Sequence, residues 1–231
     1  EVVLCEKGTQ LGGALLYSKE YFKEDLGKLV DVLERRVRSR PIELMMETEV
    51  TPEFVKEVFP DVLIVAVGAE PLIPPISGVE FAVIAASLYD EDAIGDRVVV
   101  GGGQVGCEKA LHMSHLGKDV TLVEMLDTAA SDASYLHWLA LTRELEKNVT
   151  LELGTKCFEI TGSVVYARDQ DDQEKCFPAD TVLLATGMMS RTELVESLRG
   201  SAPDFSVIGD CYQPGTVLEA IQYGYFTALN L

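Results

Sequence analysis

Arg97-Val98-Val99-Val100-Gly101-Gly102-Gly103-Gln104-Val105-Gly106 runs a short apolar strand directly into G-x-G-x-x-G and on into a helical stretch reaching about Gly117. In that order the glycines have separate tasks. Gly101 permits the tight turn, Gly103 lets backbone approach a pyrophosphate, and Gly106 allows helix to pack closely on strand. The N–H groups of Gln104 and Val105 open the helix, where the peptide dipoles favour an anion. Glu124 ends the next apolar run, 23 residues beyond Gly101, where a carboxylate would accept hydrogen bonds from an adenosine ribose. The residues after it, Met125 and Leu126, offer no cation for a 2′-phosphate, so the pattern favours NAD(H) over NADP(H).

Outward from this stretch, short β-branched runs recur at Val2-Val3-Leu4, Val62-Leu63-Ile64-Val65, Val120-Thr121-Leu122-Val123, Val149-Thr150-Leu151, Val182-Leu183-Leu184 and Val207-Ile208. Helical patterns at 26–37, 104–117 and 132–147 separate several of them. Continuous apolar strands alternating with helices indicate an α/β protein with parallel sheets covered on both faces. Residues 157–178 carry shorter apolar pieces and an acidic loop, Asp169-Gln170-Asp171-Asp172-Gln173-Glu174, and are expected to form a β-meander or crossover with a solvated tip.

The chain also repeats itself. Val3-Leu4-Cys5-Glu6 matches Leu122-Val123-Glu124 as a strand ending in a carboxylate, and Val62–Gly68 matches Val182–Gly187 as a strand ending in glycine. Glu6 and Gly68 lie 62 residues apart, Glu124 and Gly187 lie 63 apart, so type, order and interval agree. The reading is two Rossmann-like parallel-sheet domains, the second inserted in the first: residues 1–78 with 190–231, and residues 80–189. Counting back from Glu6 by the 23-residue interval, the first copy's glycine turn would fall before Glu1. The first domain is therefore expected to lack its opening strand and glycine loop.

Composition narrows the partners. With 38 acidic against 19 basic residues the net charge is −19, which repels polyanions and argues against nucleic acid. Apolar runs are too short to cross a bilayer and the opening residues have no signal-peptide pattern, so a cytoplasmic protein without a membrane partner is expected. Cysteines 5, 107, 157, 176 and 211 form neither close pairs nor zinc spacings, and His112 with His115 lack an accompanying ligand motif. No metal site is expected. The oligomeric state stays open, a homo-oligomer included.

Together, Glu6-Lys7 with Leu11-Gly12-Gly13, the strand-end glycines Gly68 and Gly187, the inserted fingerprint, and Val207-Ile208-Gly209-Asp210-Cys211 resemble the two-dinucleotide-domain flavoprotein reductases. Pro214 and Leu218-Glu219-Ala220-Ile221-Gln222-Tyr223-Gly224 look most like the C-terminal part of the multidomain Old Yellow Enzyme group, which includes 2-enoate reductase, 2,4-dienoyl-CoA reductase and trimethylamine dehydrogenase. That resemblance implies FAD and NAD(H) as cofactors. Glu6 would bind the ribose of the FAD adenosine, Gly12 and Gly13 would let the chain run close to it, Gly209 and Asp210 would approach the flavin, and a helix starting near Pro214 would point at it. It further implies an electron-input module serving an FMN and iron–sulfur barrel in the same polypeptide and acting on an enoate-type substrate. No acid or base of this chain need take part in hydride transfer. Two other readings are a disulfide reductase, which needs neighbouring cysteines, and a module that holds a nucleotide such as ADP without hydride transfer.

Overall fold

The computed structural model describes residues 1–18, 20–88 and 91–231. The first strands and helices, in chain order, are β1 (Val2–Cys5), α1 (Glu24–Arg38), β2 (Ile42–Met45), α2 (Pro52–Val58), β3 (Val62–Val65) and β4 (Ala69–Pro71). There follow β5 (Val83–Ile84), β6 (Arg97–Gly101), α3 (Gln104–His115), β7 (Asp119–Val123), α4 (Tyr135–Asn148) and β8 (Thr150–Glu152). The chain closes with β9 (Lys156–Ile160), β10 (Val164–Arg168), β11 (Glu174–Pro178), β12 (Thr181–Leu184), β13 (Met188–Ser190), α5 (Thr192–Leu198), β14 (Asp204–Val207) and α6 (Val217–Leu229). This is the expected α/β class with parallel sheets.

Two compact units result: unit 1 comprises Glu1–Leu16, Leu26–Pro71 and Met188–Leu231, and unit 2 comprises Tyr17–Asp25 and Leu72–Gly187. These breaks differ from the expected boundaries near 79 and 190. Residues 72–78 join unit 2 because Leu72 N–H donates to Gly187 O and Ile160 N–H donates to Ser77 O, at 3.0 and 2.8 Å. Residues 17–25 join it through buried charge. Lys109 Nζ of α3 lies 2.8 Å from Glu20 Oε1, both side chains 2% exposed, and Lys23 Nζ donates to Glu108 Oε2 at 2.6 Å. Neither pairing has a signature in sequence periodicity.

Unit 2 holds a five-stranded parallel sheet in the order β5-β12-β6-β7-β8. Strand residues alternate between its faces. Val98, Val100, Val120, Leu122 and Leu183 pack in one core with Cys107, Ala110, Leu111 and Met113 of α3 and Leu141 and Leu145 of α4. Val99, Val123 and Val182 pack in a second core with Ile160, Val165 and Ala167 of the antiparallel sheet β11-β10-β9. The strands read as uninterrupted apolar runs because helices cover one face and the meander covers the other. The acidic residues 169–173 turn at its solvated tip, as expected.

Unit 1 is assembled differently. Strand β1 pairs in parallel with β2, β3 pairs in parallel with β14, and among the described residues no ladder joins the two pairs. A third pairing, antiparallel, joins β4 to β13. The core of this unit gathers Val55, Val65, Val195, Leu198 and Cys211. Helix α6 begins at Val217, three residues later than expected, where Thr216 and Glu219 form a reciprocal capping box. Although rich in apolar residues, α6 buries none of them.

The Glu20–Lys109 pair makes unit 2 sensitive to acid and to truncation. Burial pushes the Glu20 carboxyl up, but the hydrogen bond from Lys109 and the charges of Lys23 and Lys109 outweigh it and hold the group below its ordinary range. A depressed carboxyl stabilises the fold above its unfolded pKa, and that contribution is lost as pH falls through the folded value. Lys109→Met should leave buried Glu20 with only Lys23, 3.5 Å away, and cost about 3 kcal/mol in denaturant unfolding at neutral pH, with the deficit shrinking as acid protonates Glu20. An equal deficit at all pH values would contradict this assignment.

Candidate dinucleotide sites

The fingerprint folds as its spacing predicts, with β6 ending at Gly101, Gly103 at the N-cap of α3, and Gln104 as the first helical residue. The steric roles of the glycines are distributed less evenly. A Cβ on Gly106 would lie 1.7 Å from Gly101 O, so close helix–strand packing demands glycine there. At Gly101 and Gly103 the nearest atoms to an added Cβ are 3.5 and 3.7 Å away, ordinary contact distances, and chain packing alone does not require glycine at either. Gly102, the variable position of the motif, is the constrained one: its Cβ would meet Glu124 Cβ at 2.5 Å and Glu124 Oε2 at 2.7 Å. The carboxylate that ends β7 thus lies over the glycine turn. Sequence reasoning passed over Gly102 because the contact comes from the next strand.

Glu124 is held from several sides. Its Oε1 accepts the Leu126 N–H at 2.8 Å, its backbone N–H donates to Glu152 O at 3.0 Å, and Thr155 N–H donates to its carbonyl at 2.8 Å. Gly154 N–H closes the turn onto Leu126 O at 2.9 Å. The same bonds recur in unit 1. Glu6 Oε1 accepts Gly8 N–H at 2.6 Å, Glu6 N–H donates to Met45 O at 2.9 Å, Thr48 N–H donates to Glu6 O at 2.9 Å, and Glu47 N–H donates to Gly8 O at 3.1 Å. Glu47 and Gly154 share the left-handed backbone, φ 53° and 59°, and Thr48 and Thr155 each return a hydroxyl bond to the carbonyl two residues earlier. The duplication therefore extends into the following strand turns, which the sequence hides because Glu47 stands where the second copy has glycine.

Gly12 and Gly13 also adopt positive φ, and a Cβ on Gly12 would lie 2.9 Å from Val30 Cγ1, so local packing by itself requires glycine there. Gly68 and Gly187 turn with φ 72° and 95° just ahead of β4 and β13. After Gly209, Asp210 Oδ1 accepts Gly215 N–H at 3.2 Å, bracing the 211–215 loop, while Thr216 caps α6.

Two further residues surround α3 without any signal in the motif. Glu108, 3% exposed, sits one helical turn after Gln104, with Gln104 Nε2 at 3.2 Å and His137 Nε2 at 3.0 Å from its Oε1. Asp132 Oδ1 accepts the Gln104 backbone N–H at 2.8 Å.

All five cysteines are free. Burial pushes the Cys107 thiol up to about 12, and it donates to Gly102 O at 3.2 Å. Cys157 is raised by burial, and Cys5 by burial together with nearby Glu43. Cys211 donates to the carbonyls of Val65 and Ile208. The raised, packed thiols of Cys107 and Cys157 are the opposite of the thiolates that exchange disulfides. His112 Nε2 lies 2.9 Å from Glu91 Oε2, a packing contact. Among the described residues no helix is long and apolar enough to cross a membrane.

Residues 48–224 match the pyridine nucleotide-disulphide oxidoreductase family. The chain belongs to that family. Its cofactors are NAD(H) and FAD, and the architecture is that of a flavoprotein oxidoreductase. It is 32% identical over 235 residues to a bilirubin reductase of Mediterraneibacter gnavus, covering 99% of this chain and 36% of the relative. It is 30% identical over 244 residues to an NADH oxidase of Thermoanaerobacter brockii, covering 100% and 37%. A solved 2-naphthoyl-CoA reductase superposes with a TM-score of 0.87 at 26% identity, covering 97% of this chain and 35% of that one. The chain thus spans little more than a third of the length of these three proteins.

The residues of unit 2 fit a nicotinamide dinucleotide: a helix N-terminus after a tight glycine turn, and a carboxylate fixed over it. Unit 1 fits FAD in part. It carries a second carboxylate turn at Glu6 and the Gly209-Asp210 turn, while no described ladder joins β1 to β3.

Proposed function

We propose that this chain is the NADH-to-flavin electron-input module of a larger reductase, with unit 2 holding NAD(H) and unit 1 contributing to the FAD site. The observation that carries this reading is the doubled carboxylate turn, the same set of bonds around Glu6 and Glu124, since a nicotinamide–flavin enzyme needs two adenosine-ribose sites. When bound, NAD(H) supplies a hydride and FAD accepts it, after which electrons pass to an FMN or iron–sulfur group in a barrel domain of the same polypeptide.

The chain's own residues bind and orient. Glu124, fixed by Leu126 N–H, presents Oε2 to the ribose hydroxyls and repels a 2′-phosphate; Gly101 and Gly103 leave room above the turn, and the N–H groups of Gln104 and Val105 face the pyrophosphate. Gly187 follows β12, just past Ala185, whose backbone lies near Gly101. In unit 1, Glu6 takes the adenosine ribose of FAD, Gly12, Gly13 and Gly68 keep backbone close, and Gly209 with Asp210 meets the flavin side chain. No acid or base is required, because positioning two rings in contact is the main demand. The relatives' names, a bilirubin reductase and a 2-naphthoyl-CoA reductase, favour a conjugated terminal acceptor, the broad class to which an enoate belongs.

Anaerobic mixing of the full-length flavoprotein with NADH should bleach the flavin rapidly, whereas NADPH should bind at least about tenfold more weakly because its 2′-phosphate meets Glu124 without a compensating cation. Glu124→Gln should narrow that preference. Tight NADH binding without bleaching would leave only a nucleotide-holding module, and equal affinity for NADPH would remove the role given to Glu124.

A further inference from the structure

The loop from β7 to α4 is hooked across the glycine turn. Ala130 N–H donates to Gly102 O at 2.9 Å, Trp138 Nε1 donates to Ala129 O at 3.2 Å, and Asp132 Oδ1 accepts the Gln104 N–H at 2.8 Å. Ala129 and Ala130 are buried, and Ala130 is held at φ 51°, a left-handed conformation that alanine disfavours. Asp132 itself is exposed, and among the described residues no cation pairs with it. Gly103, the N-cap of α3, has no side chain to satisfy the helix's first N–H groups, so the carboxylate from the loop takes that place.

One N–H cannot serve a carboxylate and a phosphate in full, and both ligands are anionic. We propose that Asp132 is a built-in competitor of the dinucleotide site: its carboxylate holds the anion position at Gln104 N–H, and NAD(H) binds by displacing that side chain while Ala129 and Ala130 stay packed. This rests on the assignment of unit 2 as the nicotinamide site. Both redox forms carry the same pyrophosphate, so Asp132 weakens both and, by returning to Gln104, speeds departure of the oxidised product. The helix keeps a partner for its N-terminal charge at every stage. Glu108, which holds the Gln104 side chain, keeps the residue in place during the exchange.

Calorimetry on the full-length flavoprotein tests this with two probes that transfer no hydride. ADP-ribose carries the adenosine and the pyrophosphate; adenosine carries no phosphate. Asp132→Ala should tighten ADP-ribose about five- to tenfold and leave adenosine within about twofold, since only the phosphate competes with the carboxylate. Asp132→Asn, which keeps a neutral acceptor, should tighten it in the same direction by less. A loop that merely props the site would lose affinity for both probes. Unchanged or weaker ADP-ribose binding in Asp132→Ala would overturn the proposal; should that variant lose its flavin, Asp132→Asn decides by the same criterion. Failure of the wild type and both variants to bind ADP-ribose would instead sink the nicotinamide assignment of unit 2, and this inference with it.

Discussion

Adding about 25–35 residues to unit 1, enough for one strand, a glycine turn and a helix between β1 and β3, should raise FAD retention to a yellow, near-stoichiometric protein. The two units supply the reason. In unit 2, β6 lies between β12 and β7, and its glycine turn leads into α3, whose first N–H groups we assign to the pyrophosphate. The matching strands of unit 1 are β3 and β1, and no described strand joins them. Unit 1 exposes apolar residues on several of its elements: Val2 and Val3 of β1, Ile64 of β3, and Leu218, Ile221, Tyr225, Phe226 and Leu229 of α6. A cavity of about 650 Å3 opens between β14 and α6, lined by Ser206 and by Gln222, Tyr223, Phe226 and Thr227. Burying even half of these side chains would contribute several kcal/mol at roughly 1.5–3 kcal/mol each. Flavin absorbance per protein, with a thermal melt of both versions, checks the expectation. Stoichiometric FAD on the 231 residues alone would show that Glu6 and Asp210 bind it without a second glycine turn.

Gly106→Val should have the largest effect of any single substitution in the fingerprint. Its Cβ would meet Gly101 O at 1.7 Å, Gly101 C at 2.7 Å and Ala185 Cβ at 3.0 Å, all in or beside the turn between β6 and α3. None of these is the tip of a flexible side chain, so α3 must move away from the sheet. Overpacking of this kind costs roughly 3 kcal/mol or more, and displacement of the helix start should weaken ADP-ribose binding about a hundredfold. Gly103→Ala separates folding from binding. Its nearest neighbour would be Ala185 O at 3.7 Å, so unfolding free energy should stay close to wild type while dinucleotide affinity falls, because the methyl group projects where the pyrophosphate approaches. Equal stability of Gly106→Val and Gly103→Ala in denaturant unfolding would contradict the packing described.

Several features were legible before any tertiary contact was known. The strand-to-glycine run at 97–106, the carboxylate at 124 and the matched intervals to Gly68 and Gly187 follow from residue type and spacing, because chain geometry ties a turn, a strand end and a helix start to fixed offsets. The meander over 157–178 was readable for the same reason. What spacing cannot encode is which distant residue reaches a given atom. Docking of residues 17–25 onto α3 depends on Glu20 and Lys109 meeting across 89 positions of chain, and the constraint on Gly102 comes from Glu124 on the next strand. Likewise, Asp132 is an unremarkable loop aspartate in sequence and a ligand of the α3 N-terminus only once the β7–α4 loop folds back. Local periodicity determined the elements and the glycine turn; burial of charge and the closing of backbone bonds between remote segments, which depend on the assembled sheet, decided what stands in the site.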